Sequence, residues 1–136
     1  MITTDVFIAG AGLAGSIAAL SYAKSARNVV VADPYSYDDN SNFDYRTTAY
    51  LQPSKLFLDL IGVWDFVKDG AMPLEVMKII DASGKGDPGK IKSEKNFNSS
   101  EISDLPFGWN VKNSLMRATL QDLIERQSNC KLITGT

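Results

Sequence analysis

Three glycines stand at G-x-G-x-x-G spacing in Gly10-Ala11-Gly12-Leu13-Ala14-Gly15, and an acid, Asp33, lies eighteen residues beyond the last of them. The apolar run Val6-Phe7-Ile8-Ala9 leads into the glycines, and a second run, Val29-Val30-Val31-Ala32, leads into the acid. Each residue has a task in one kind of site. Gly10 permits a tight turn off a strand, Gly12 lets the backbone approach a pyrophosphate, and Gly15 lets the following helix pack closely on the sheet. The helix N-terminus meets the phosphates with unpaired N–H groups and the positive end of its dipole, which fits the absence of any Lys or Arg before Lys24. A carboxylate closing the second strand accepts from an adenosine ribose hydroxyl. That carboxylate also repels a 2′-phosphate, and Pro34-Tyr35-Ser36-Tyr37 supplies no arginine to offset it. The pattern therefore fits the adenosine half of FAD or NAD and disfavours NADP in this crevice.

The elements that must position these residues are legible in the apolar pattern. Val6 to Ala9 is short and continuously apolar, as expected of a central parallel strand covered on both faces. Leu13, Ile17 and Leu20 recur at helical spacing over Leu13 to Ser25, and Ala14, Ala18 and Ala19 keep the approach to the sheet close. The second strand is expected over Asn28 to Ala32, and a polar, aromatic-studded surface loop from Pro34 to Asp44. Pro53 and Gly62 bracket a short helix carrying Leu56, Phe57, Leu60 and Ile61, and a second short helix follows through Trp64, Phe66 and Val67. Leu74 to Ile80 reads as one strand, Ser83 to Asp104 as weak or edge strands, and Trp109 to Val111 as a brief strand. Asn113 or Ser114 is expected to cap a helix whose inward face carries Met116, Leu120, Leu123 and Ile124, and Cys130 to Thr134 reads as a final strand. The fold class is thus α/β, with a Rossmann-like βαβ unit on a parallel sheet.

Composition excludes several classes of function. At 136 residues and a formal charge of −2 the chain is expected to be one domain or part of one, without a basic face for nucleic acid. A single cysteine rules out an internal disulfide, and with no histidine there is no zinc site and no His-dependent triad to nominate. No segment reads as a signal peptide or a membrane span, so the expected location is cytoplasmic.

Past Asp33, the stretch Asp44-Tyr45-Arg46-Thr47-Thr48-Ala49-Tyr50-Leu51-Gln52-Pro53-Ser54 resembles the D-x-R-T-T-A-L-x-x-P-S segment of the flavin-dependent hydroxylases of ubiquinone biosynthesis. These are similar in turn to the aromatic-ring monooxygenases typified by p-hydroxybenzoate hydroxylase. The likeness continues through Leu60-Ile61-Gly62-Val63-Trp64, Ala71-Met72-Pro73-Leu74, Ile79-Ile80-Asp81 and Phe107-Gly108-Trp109-Asn110-Val111-Lys112-Asn113. It implies an FAD site formed by Gly10, Ala11, Gly12, Leu13, Ala14, Gly15, Asp33, Arg46 and Lys112, with no catalytic residue and no metal ligand in this chain. Arg46 matches the family arginine that reaches back to the cofactor, where a guanidinium can pair bidentately with phosphate or ribose oxygens. Lys112 stands where relatives often carry Glu, Gln or Arg, and Asp33 where many carry Glu.

The resemblance also implies a reaction for the whole enzyme: reduction of FAD by NAD(P)H and transfer of one oxygen atom of O2 to an electron-rich ring, here an aromatic ubiquinone precursor. Asp69-Gly70 and Gly86-Asp87-Pro88-Gly89 read as turns rather than as the later FAD-closing motifs of the family. The expectation is therefore that residues 1–136 correspond to the first third of a hydroxylase, an FAD/NAD(P)-binding-type domain inactive alone, with 73–106 an excursion toward a substrate domain. In a full-length enzyme a peripheral association with the membrane would accompany that role. Left uncovered, apolar strands carrying Leu74, Val76, Leu132 and Ile133 are expected to favour self-association. Two readings of other classes stand beside it: a non-catalytic remnant that binds a nucleotide or another protein, and an NAD-binding oxidoreductase domain.

Overall fold

A computed structural model of the chain describes residues 3–35, 44–82 and 91–135. Among the described residues are three short sheets and four α-helices, and the first two sheets each join strands from distant parts of the sequence. The first sheet is parallel, with β1 (Val6–Ala9), β2 (Val29–Asp33) and β8 (Cys130–Thr134) in the order β1-β2-β8. Val6 pairs with Val29 and Ile8 with Val31, while Val29 pairs on its other side with Cys130 and Asp33 with Thr134. The central strand is therefore β2, whose Val29, Val30 and Val31 are all buried. Contrary to the sequence expectation, β1 lies at an edge and is covered on one face only. Val6 and Ile8 pack toward the core, whereas Phe7 on the opposite face is 63% exposed.

Helix α1 (Leu13–Lys24) returns the chain antiparallel to β1 and packs on the sheet through Ser16, Ala19, Leu20 and Ala23. Its small residues allow the close approach. Helix α4 (Asn113–Glu125) lies beside α1 and buries Met116, Leu120 and Ile124, with Leu123 partly covered, along the stripe expected from their spacing. Cys130 closes the same core at the start of β8, and burial pushes its thiol pKa up.

The second sheet is antiparallel, in the order β3-β7-β4, with β3 at Thr47–Leu51, β4 at Met72–Leu74 and β7 at Gly108–Lys112. Strand β3 was legible in the sequence only as a motif, because Tyr50 alone among its residues is fully buried and the apolar signal is correspondingly faint. Helices α2 (Gln52–Leu60) and α3 (Trp64–Val67) follow β3. Gly62 adopts φ +72° after α2, the left-handed stop that its place in the sequence anticipates. Trp109 of β7 meets Trp64 of α3 edge to face, with ring centroids 5.5 Å apart.

The expected single strand over Leu74 to Ile80 is two strands separated at Glu75: β4, which joins β7, and β5 (Val76–Asp81), which leaves that sheet. Strand β5 pairs antiparallel with β6 (Ser93–Asn98) as a two-stranded ribbon, exposed along its whole length. Asp69-Gly70 lies in a 3-10 turn, as expected. Tyr37 with the rest of 36–43, and Gly86-Asp87-Pro88-Gly89, lie outside the described residues.

Candidate functional site

The site begins at the turn from β1 into α1. Gly10 takes φ +101°, a left-handed conformation that a side chain would strain, and its N–H donates to the Ala32 carbonyl at 2.7 Å. The turn is thereby tied to the end of β2 rather than left to fold freely. Gly12 is the N-cap of α1, and Ser16 donates the first helical N–H back to its carbonyl at 2.9 Å. The amides of Leu13, Ala14 and Gly15 occupy the first turn, where a helix offers its own N–H groups no acceptor. A Cβ added at Gly15 would run into the Gly10 carbonyl, so glycine there is a packing requirement. At Gly12 an added Cβ would meet no protein atom within 4 Å. The space above Gly12 is open to a ligand.

Asp33 faces this turn. Its Oδ2 accepts from the Ala11 N–H at 2.7 Å, and its Oδ1 accepts from the N–H of Tyr35 at 3.0 Å. Each carboxylate oxygen keeps a further lone pair for an outside donor. Ser16, which the sequence analysis does not single out, is 5% exposed and donates its hydroxyl to the Ala11 carbonyl at 3.0 Å. Ala11 is therefore held from both sides, its N–H by Asp33 and its carbonyl by Ser16. The six residues Gly10 to Gly15 and Asp33 form one cluster.

Arg46 and Lys112 form a second group, at the adjoining ends of β3 and β7, where Thr47 and Lys112 are paired in register. The Lys112 side chain is exposed at the strand end. Arg46 is 80% exposed, and its Nε and Nη2 donate to the two carboxylate oxygens of Asp44 at 2.8 and 3.0 Å. Asp44 itself is only 13% exposed, and the Arg46 guanidinium, followed by Asn113, holds its carboxyl far below the usual carboxylate range. Asn113 corrects the sequence reading. It is the first residue of α4 rather than its cap, the N-cap being Lys112, and its side chain donates to Asp44 at 3.1 Å while accepting from the Thr48 hydroxyl at 2.6 Å. An asparagine before a helix resembles a cap in any sequence. Only the pairing of β3 with β7 brings Asp44 and Thr48 to it.

Among the described residues no helix is long and apolar enough to cross a membrane, and no group of three or more potential metal ligands occurs.

No protein-family model matches the chain. A curated relative, the ubiquinone hydroxylase UbiL of Rhodospirillum rubrum, is 28% identical over 118 residues, covering 85% of this chain and 26% of the relative. Among solved structures, the flavin-dependent monooxygenase PieE, crystallised with FAD and substrate, superposes with a TM-score of 0.72 at 18% identity over 98% of this chain and 24% of its own. A flavoprotein/dehydrogenase from Cytophaga hutchinsonii does so with a TM-score of 0.65 at 25% identity, over 97% of this chain and 30% of its own. The chain spans about a quarter to a third of the length of the proteins it matches. In fold, and in the sequence it shares with the ubiquinone hydroxylase, it matches an N-terminal portion of the FAD-dependent monooxygenases.

Proposed function

We propose that the chain is the FAD-binding portion of a flavin-dependent hydroxylase that acts on an aromatic precursor of ubiquinone. The observation that carries this reading is the bond from the Ala11 N–H to Asp33, which sets a strand-end carboxylate beside a glycine turn whose approach over Gly12 is open. Asp33 would accept from the adenosine ribose through its remaining lone pairs. The pyrophosphate would lie over Gly12, facing the amides of Leu13, Ala14 and Gly15 and the positive end of the α1 dipole. Arg46 would add a cation, because only two of its five N–H donors are committed to Asp44. Lys112, exposed at the neighbouring strand end, would add a second positive charge without a fixed geometry.

When bound, FAD supplies the redox chemistry, taking electrons from NAD(P)H and delivering one oxygen atom of O2 to the ring. The chain's own part is to bind, orient and neutralise the dinucleotide. The β5–β6 ribbon is the segment that would reach toward the substrate-binding part of such an enzyme.

Calorimetric titration with FAD, ADP and NAD tests the reading. FAD and ADP should compete for one site, with FAD weaker than in a complete flavoenzyme because the half-site leaves the isoalloxazine in water. NAD that outcompetes FAD would point instead to a nicotinamide-binding domain. Gly12→Val should abolish binding of both FAD and ADP, since its side chain would fill the space left for the pyrophosphate.

A further inference from the structure

We propose that Asn113 is a positioning residue, acting through Asp44 to aim the Arg46 guanidinium at an anionic ligand. This rests on the reading of Arg46 as a phosphate contact. With its side chain 80% exposed, Arg46 has little packing to set its direction, and that task falls to the fork it makes with Asp44. Asp44 precedes β3 in irregular chain, so its carboxylate needs an anchor of its own. Asn113 provides one from a rigid element. It is 7% exposed at the first position of α4, and its N–H donates to the Arg46 carbonyl at 3.0 Å.

The direction of the Asn113 amide is not free. The ionised Asp44 carboxylate only accepts, which obliges Asn113 Nδ2 to face Asp44 Oδ2, where it donates at 3.1 Å, and leaves Oδ1 to accept from the Thr48 hydroxyl at 2.6 Å. One buried side chain thus joins a strand hydroxyl to the carboxylate, while its backbone holds the arginine's own carbonyl. The Nε–Nη2 edge of Arg46 is used by Asp44, which leaves the Nη1–Nη2 edge as a second fork of the shape that binds phosphate bidentately. Arg117, with Nη2 3.8 Å from Asp44 Oδ2, adds a cation to the same carboxylate from the next turn of α4. Asp44 is in this view a pivot between two helix residues and a ligand-facing arginine.

The test is a double-mutant cycle on the 136-residue chain, read by ADP and FAD titration and by the ¹⁵N resonance of the Arg46 Nε–H. Asn113→Ala and Arg46→Ala should each weaken ADP binding roughly tenfold, and the double variant should bind no worse than Arg46→Ala alone. The Nε–H of Arg46 should exchange slowly with water in the parent chain and rapidly in Asn113→Ala. Thr48→Val, which leaves Asn113 in place and frees its amide, should shift both readouts in the same direction by less, and it serves if Asn113→Ala fails to fold. Equal losses from Asn113→Ala with and without Arg46 would reduce the residue to a structural role and overturn the proposal. An unchanged Nε–H exchange would do the same. If Arg46→Ala binds ADP like the parent chain while the exchange still depends on Asn113, then the assignment of Arg46 to the ligand fails and the aiming function falls with it. In that case the Asp33 site is left untouched.

Discussion

Gly12 and Gly15 are chemically identical and three residues apart, yet a methyl group would have opposite consequences at the two positions. Gly15→Ala forces its Cβ onto the Gly10 carbonyl, and backbone cannot yield there as a flexible side chain would. It should cost about 2 kcal/mol or more in urea unfolding. A Cβ at Gly12 meets no protein atom within 4 Å, so Gly12→Val should unfold within about 1 kcal/mol of the parent while losing ADP. The two variants separate a packing glycine from a ligand glycine.

Asp44 supports a second prediction at this scale. Its folded-state pKa is depressed by Arg46 and Asn113, so its contribution is fully present above the ordinary carboxylate value of 3.8 and is lost as pH falls through the lower folded-state value. Urea melts of Asp44→Asn should be less stable than the parent at pH 7 and should converge with it as the pH drops below about 4. The glycines and Asp33 were legible in the sequence because their roles are local: a turn, a cap and a strand end within one βαβ unit. Asp44 and Asn113, by contrast, are 69 residues apart and acquire their role only through the pairing of β3 with β7.

At the scale of elements, helices were easier to read than sheets. The spacing of Met116, Leu120 and Ile124 announced the buried stripe of α4, whereas β3 shows the sequence a single buried side chain, and the break at Glu75 between β4 and β5 has no glycine or proline of its own to mark it. Between α1 and α2 lies an open apolar groove of about 630 Å³, lined by Ala14, Ile17, Tyr22, Tyr50 and Phe57 among others. The Tyr50 hydroxyl is buried at its wall without a hydrogen-bond partner, and burial raises its pKa. Removing that oxygen removes an unsatisfied polar group, so Tyr50→Phe should leave stability unchanged or raise it by about 1 kcal/mol in thermal or urea unfolding. A loss of more than about 1 kcal/mol would show that the hydroxyl has a partner in solution.

For the molecule as a whole, the ribbon of β5 and β6 stands apart from the two sheets that share the core. Val76, Met77, Ile79 and Ile80 are each about half exposed, and a two-stranded ribbon with so little cover is marginally stable by itself. Of the residues expected to lie uncovered, Val76 does, while Leu74, Leu132 and Ile133 are partly buried. Light scattering across a concentration series should show the 136-residue chain self-associating. Ile79→Lys should suppress this with a stability change within about 0.5 kcal/mol, because the residue is 53% exposed. The pairing of β2 with β8 has a consequence in time rather than in space. Val29 meets Cys130 across about a hundred residues of intervening chain, so during synthesis the nucleotide-facing strand waits, with one edge unpaired, until all of those residues have been made and β8 has emerged. The half-site around Gly12 and Asp33 is thus made early and becomes rigid only once β8 arrives.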